Sequence, residues 1–147
     1  MTLRELVKDD LDALLELYRQ LHQQDLPLPE RSAIACVWGE ALRSDDIRYY
    51  GCLVSGRLVS SCTVAVLPNL TRACRPYALL ENVVTHRDFR RRGYGKAVLQ
   101  SALDFAWERG CYKVMLMTGR LDEGTFRFYE AVGFRGDRKQ AFVMEPP

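Results

Sequence analysis

The run Glu81–Lys96, ENVVTHRDFRRRGYGK, allows few folds: a β-favouring apolar segment enters a turn of arginines and glycines and leaves it directly as an amphipathic helix. Such a turn is suited to holding phosphate. Gly93 and Gly95 remove side chains where a ligand must approach the backbone, and the following helix aims its unpaired N–H groups and positive dipole end at the same point. Arg90, Arg91, Arg92 and Lys96 surround it with fixed positive charge. The spacing Arg90-x-x-Gly93-x-Gly95 matches neither the dinucleotide fingerprint G-x-G-x-x-G nor the Walker pattern G-x-x-x-x-G-K-[ST].

The neighbouring segments extend this unit. Residues Tyr77 to Thr85 read as a long strand leading into the turn. From about Tyr94 to Arg109, Val98, Leu99, Ala102, Leu103 and Ala106 fall on one helical face, with Gly110 placed to end the helix at C′. The next run, KVMLMT from Lys113 to Thr118, is apolar without alternation, as in a strand covered on both faces and parallel to the one before the turn. Strand, helix and strand form a βαβ unit, whose crossover is right-handed by rule.

Upstream, residues 2–7 alternate like a short strand. Asp9 or Asp10 is placed to cap a helix with Leu11, Leu14, Leu15, Tyr18 and Leu21 at helical spacing, and Pro27 and Pro29 close that segment. A second helix from about Glu30 to Arg43 would bury Ile34, Val37, Trp38, Ala41 and Leu42. Residues 47–54 and 57–67 read as a hairpin joined by Ser55-Gly56. Downstream, Asp122 caps a helix to about Val132, Gly133 ends it, and Ala141 to Met144 offers a terminal strand. With 147 residues and no linker, repeat or low-complexity segment, residues 1–147 read as a single domain.

Charge and cysteines narrow the function classes. A net charge of +2 is too small for a nucleic-acid binder working through bulk electrostatics, so nucleic acid is not an expected partner. No apolar run reaches the ~18 residues of a membrane span, and the acidic residues of MTLRELVKDDL do not suit a signal peptide, which points to the cytoplasm and no membrane partner. Five scattered cysteines with no C-x-x-C pair and two histidines give no disulfide framework and no metal site. Cys36, Cys52, Cys62 and Cys111 sit in or beside apolar stretches and read as small buried hydrophobes; Cys74 lies in a polar loop.

The order strand, R-x-x-G-x-G, helix, strand, then a helix ending Phe128-Tyr129-Glu130-Ala131-Val132-Gly133-Phe134, resembles the GNAT superfamily of acyl-CoA N-acyltransferases. The resemblance implies an α/β (α+β) fold: a mixed, mostly antiparallel sheet splayed at the cofactor site and flanked by about four helices. It implies acetyl-CoA as co-substrate. The cofactor-binding residues would be Val83, Val84 and Thr85, pairing with the pantetheine arm, and Arg90, Arg91, Arg92, Gly93, Tyr94, Gly95 and Lys96, gripping the pyrophosphate. In many members the last helix begins with Asn and has Ala three residues later against the cofactor arm; here Asp122 and Thr125 hold those positions. A carboxylate cannot donate the hydrogen bonds of an amide.

Acetylating an amine requires a base, because an ammonium of pKa ~10.4 has no lone pair with which to attack a thioester. Glu81 is the candidate: the resemblance gives some members a carboxylate at this point of the strand, and desolvation there would raise its pKa toward a useful range. His86 or a water relay are the alternatives. The family counterpart of Tyr129 lies near the sulfur and protonates the departing thiolate, so Tyr129 is the second catalytic candidate.

Glu81-Asn82-Val83-Val84, Cys111-Tyr112-Lys113 and the basic residues Arg72 and Arg75 resemble the glucosamine-6-phosphate N-acetyltransferases within the superfamily. The same layout occurs in bacterial acetyltransferases of unassigned substrate. A small-molecule amine acetyltransferase is therefore the first expectation, its acceptor pocket formed by His22 to Glu30 and the 68–76 loop. The alternatives are a protein or peptide lysine acetyltransferase, attracted by Asp45-Asp46 and Asp122-Glu123, and a non-catalytic acyl-CoA-binding module. An uncovered edge at Ala141–Met144 would favour a homodimer.

Overall fold

A computed structural model describes residues 1–22 and 24–147. The chain forms two compact units, residues 1–115 and 116–147. Its five strands, β1 (Thr2–Glu5), β2 (Ile47–Val54), β3 (Arg57–Leu67), β4 (Tyr77–Thr85) and β5 (Val114–Leu116), lie in one sheet in chain order. The first three junctions are antiparallel. At the fourth, the Tyr112 N–H donates to the Pro76 carbonyl and the Ala78 N–H to that of Lys113, so β4 and β5 run the same way. The sheet is mixed and mostly antiparallel, as expected. At three residues β5 spans only ~10 Å, and it starts beside the first residues of β4. It stops short of Val83–Thr85.

The hairpin turns on Ser55 (φ 50°) and Gly56 (φ 80°), the left-handed pair that matches strand twist. Against one face of the sheet lies α4 (Tyr94–Glu108), burying Val98, Leu99, Ala102, Leu103 and Ala106 as its periodicity requires. Its end is a Schellman closure: the Cys111 N–H reaches the Ala106 carbonyl, the Gly110 N–H that of Trp107, and Gly110 has φ 75°. The other face packs on α1 (Leu11–Tyr18) and α2 (Arg31–Arg43) through Leu6, Leu11, Leu14, Leu17, Trp38, Leu58 and Val84. The single turn α3 (Thr71–Cys74) is left-handed at Arg72 and Ala73.

Several expectations fail for local reasons. Asp10 stands at the N-cap of α1, one of the two expected positions, but makes no side-chain capping bond to it. It also ends a 3₁₀ turn, and its carboxylate reaches back to the Val7 N–H (2.7 Å) while Arg4 clamps both oxygens. Val37 and Cys36 point outward on α2, where Trp38 alone is buried. β5 is half-buried and shorter than the 113–118 run, so its apolar character does not reflect cover on both faces.

Residues 116–147 hold α5 (Glu123–Val132), begun by Asp122 and ended by Gly133 at φ 112°, as expected. Ala141–Met144 form no strand; Phe142, Val143 and Met144 are exposed, and the edge invoked for a homodimer is absent.

Candidate active site

The turn after β4 has the geometry its sequence requires. His86 starts a short 3₁₀ turn (Arg87–Phe89), Arg90 donates from Nε to the Thr85 carbonyl (3.2 Å), and Arg91 (φ 59°) and Gly93 (φ 85°) are left-handed. Gly93 is the N-cap of α4, and beyond its own chain neighbours no atom of the described residues lies within 4 Å of where its Cβ would project, so the backbone is approachable. Tyr94 and Gly95 open the helix, whose first turn carries no acid. Among the described residues Arg90, Arg91, Arg92 and Lys96 form no ion pair. Four cations without an ion pair and a helix N-terminus without a side-chain cap give the turn a local excess of positive charge, the electrostatics that suit an anion.

Contacts from distant segments brace the turn. The Gln20 side-chain oxygen accepts from the Arg87 N–H (2.8 Å), and the Arg57 and Arg92 guanidiniums lie 5.6 and 5.5 Å from the centre of the Phe89 ring. Arg57 also donates to His86 Nε2 at 2.7 Å. A guanidinium has no lone pair, so Nε2 is the acceptor here, while Nδ1 accepts from the Asp88 N–H at 3.3 Å and lies 3.7 Å from the Asp88 carboxylate. The lone pair a base would use is occupied. Nothing in the hairpin sequence marks Arg57 for this role.

Upstream, Glu81 stands opposite Thr63, and Thr63 opposite Tyr49, so the three side chains form a row on one face of the sheet. Tyr49 is held edge-on against Trp38 of α2 (4.9 Å, 80°), which identifies this as the α1/α2 face. Glu81 is exposed, so the desolvation expected there is absent. Val84 is buried, and Val83 and Thr85 are half-buried at the end of β4 beyond the reach of β5.

The two loops assigned to one acceptor pocket are anchored near opposite ends of β4. α1 ends beside the turn through Gln20, at the close of β4. The 68–76 loop precedes β4 and is tied by Arg75 to the Gly110 and Cys111 carbonyls (3.1 Å each), at the opposite end of that strand. Gln23, in the first loop, lies outside the described residues.

In residues 116–147, Asp122 Oδ1 accepts from the Thr125 N–H and Oδ2 from its hydroxyl, both at 2.9 Å. These bonds hold the Asp122 carboxyl below its usual range. The two residues that depart from the family pattern thus satisfy each other as a cap. Tyr129 is half-buried, its ring 5.0 Å from Phe128 and edge-on to Phe134 at 6.2 Å.

The sequence matches the acetyltransferase (GNAT) family over residues 10–134. A glucosamine 6-phosphate N-acetyltransferase of Trypanosoma brucei brucei is 30% identical over 141 residues, covering 95% of this chain and 92% of the relative. A solved Agrobacterium tumefaciens str. C58 protein assigned as an acetyltransferase superposes with a TM-score of 0.90 at 39% identity, over 99% of this chain and all of that one. An aminoglycoside N-acetyltransferase solved with CoA shares the fold at a TM-score of 0.77 and 18% identity, over 99% and 100% of the two chains. With the family matched across most of its length, this chain belongs to the acetyltransferase (GNAT) family and is an acyltransferase enzyme.

Proposed function

We propose that the enzyme transfers an acetyl group from acetyl-CoA to the primary amine of a small molecule, by direct attack within a ternary complex. The observation that carries this reading is the turn at Arg90–Lys96, an unneutralised basic cradle at a helix N-terminus with an open glycine backbone. Acetyl-CoA, when bound, supplies an activated thioester. Arg90, Arg91, Arg92 and Lys96 would hold its pyrophosphate with the backbone N–H groups of Gly93, Tyr94 and Gly95, and Val83–Thr85 offer unpaired strand edge to its arm. Glu81 takes the proton from the acceptor ammonium, and its exposure lets it pass that proton to water. The Tyr129 hydroxyl supplies the proton that thiol departure needs. Asp122 and Thr125 are assigned a cofactor contact through Thr125, since both Asp122 oxygens already accept from it.

The small-molecule reading is supported by the Trypanosoma relative, named for an amino sugar phosphate. Three of the four acids that would attract a basic peptide are engaged internally: Asp46 with Arg109, Glu123 with Arg127 and Asp122 with Arg120. A single catalytic domain over 1–147 is part of the proposal, supported by a family match that runs through both compact units. So is a cytoplasmic location, supported by five free cysteines. No helix among the described residues is long and apolar enough to cross a membrane.

The test is a thiol-release screen with acetyl-CoA against amino sugars, polyamines, amino acids and basic peptides, with Tyr129→Phe as control. Release with a small amine, reduced about 10²-fold in the variant, is the expected result. A protein whose melting temperature acetyl-CoA does not raise, or which acetylates only peptides, would overturn it.

A further inference from the structure

Between β3 and β4 the register slips by one residue. Thr63 stands opposite Glu81 and Ser61 opposite Val84, leaving Asn82 and Val83 to face Cys62 alone. Asn82 is left-handed at φ 51°, a conformation asparagine tolerates better than most side chains. This bulge decides where Glu81 points. Val84 is 5% exposed in the cluster with Leu14, Leu17 and Trp38, and in an unbroken strand residues three apart project to opposite faces. The extra residue puts Glu81 and Val84 on the same face.

Tyr18, the last residue of α1, packs against the cluster that holds Val84. Its hydroxyl faces Thr63 and Asn82, and burial pushes the phenol well above its usual pKa, so it stays a neutral donor. Tyr18 Oη, Thr63 Oγ1 and Ser61 Oγ are all buried with no fully formed hydrogen bond. Three hydroxyls gathered in an apolar layer pay the desolvation penalty unless a partner with both donor and acceptor serves them. The Asn82 amide, which faces the Tyr18 hydroxyl, carries both.

We propose that Tyr18, with Thr63, is a positioning residue that holds Asn82 in its left-handed conformation, turning Glu81 toward the acceptor and presenting Val83–Thr85 to the cofactor. The consequence for ligand binding rests on the acetyl-CoA reading above; the consequence for the bulge does not.

A double-mutant cycle separates the two. Tyr18→Phe keeps the ring and removes the hydroxyl. It should raise the acetyl-CoA dissociation constant about fivefold, the worth of one neutral hydrogen bond, and speed amide exchange at Val83–Thr85 by a similar factor. Glycine adopts φ > 0 without support, so in an Asn82→Gly background Tyr18→Phe should change neither quantity further. Equal losses in both backgrounds, or no loss in either, would overturn the proposal. If the wild-type protein fails to bind acetyl-CoA, the functional reading falls, and the exchange rates alone still decide the bulge. Thr63→Val, read the same way, replaces Tyr18→Phe if that variant does not fold.

Discussion

Arg57 donates to Nε2 of His86 across 29 residues of sequence, at 2.7 Å, and in doing so takes the lone pair that a histidine base would need. His86 therefore braces the turn after β4. His86→Asn should lower the thiol-release kcat by less than about tenfold, against the ~10²–10⁴ lost with a general base. Arg57→Ala should act mainly on the acetyl-CoA dissociation constant, read by calorimetry.

Glu81→Gln addresses the proton directly. With Glu81 as base, kcat for the best acceptor falls ~10²–10⁴-fold, and the acetyl-CoA dissociation constant stays unchanged because the carboxylate is exposed on the α1/α2 face and makes no ion pair among the described residues. A fall in cofactor affinity of the same size would remove Glu81 from the catalytic role.

The clamp between Arg4 and Asp10 should govern acid stability. Two guanidinium hydrogen bonds (2.6 and 2.9 Å) and the Val7 N–H hold the Asp10 carboxyl below its usual range. A carboxylate with a depressed folded pKa contributes stability that is present above the unfolded value of ~3.9 and is lost as pH falls through the folded value. Asp10→Asn should cost about 2 kcal/mol in urea unfolding at pH 7, with the gap to wild type closing below about pH 4.

Gly51→Ala tests packing between the sheet and the first strand connection. A Cβ at Gly51 would sit 2.4 Å from Leu6 Cδ2 and 2.7 Å from Leu58 Cδ1, both within the core. Overpacking of this kind costs about 1–3 kcal/mol, to be read as a drop in melting temperature with acetyl-CoA absent.

The thiols should separate by burial. Cys36 and Cys74 are exposed; Cys52, Cys62 and Cys111 are buried, and burial pushes the Cys62 thiol up to about 12. A thiol reagent at pH 8 should titrate two groups in the native protein and all five after denaturation.

The elements best read from the sequence were those specified by their own residues. The 47–54 and 57–67 hairpin, β4 and α4 match their predicted spans to within a residue, because alternation, the 3.6-residue stripe, Ser55-Gly56 and the Gly110 and Gly133 stops are local signals. Local signals also misled. Val37 continues the stripe of α2 yet faces outward, and Ala141–Met144 have strand composition without a strand. Composition records what a segment could bury and leaves open whether a partner surface is present.

The same division runs through the candidate site. The cradle is legible in its own residues: arginines, glycines and a helix start fall within seven positions and supply positive charge and unpaired N–H groups locally. Tertiary packing alone set which way Glu81 faces, which His86 nitrogen accepts from Arg57, and which residues brace the turn. Those outcomes depend on a one-residue register slip at Asn82 and on Tyr18, Gln20 and Arg57 arriving from other elements. Their contacts are set by strand register and helix packing, which no stretch of neighbouring residues encodes.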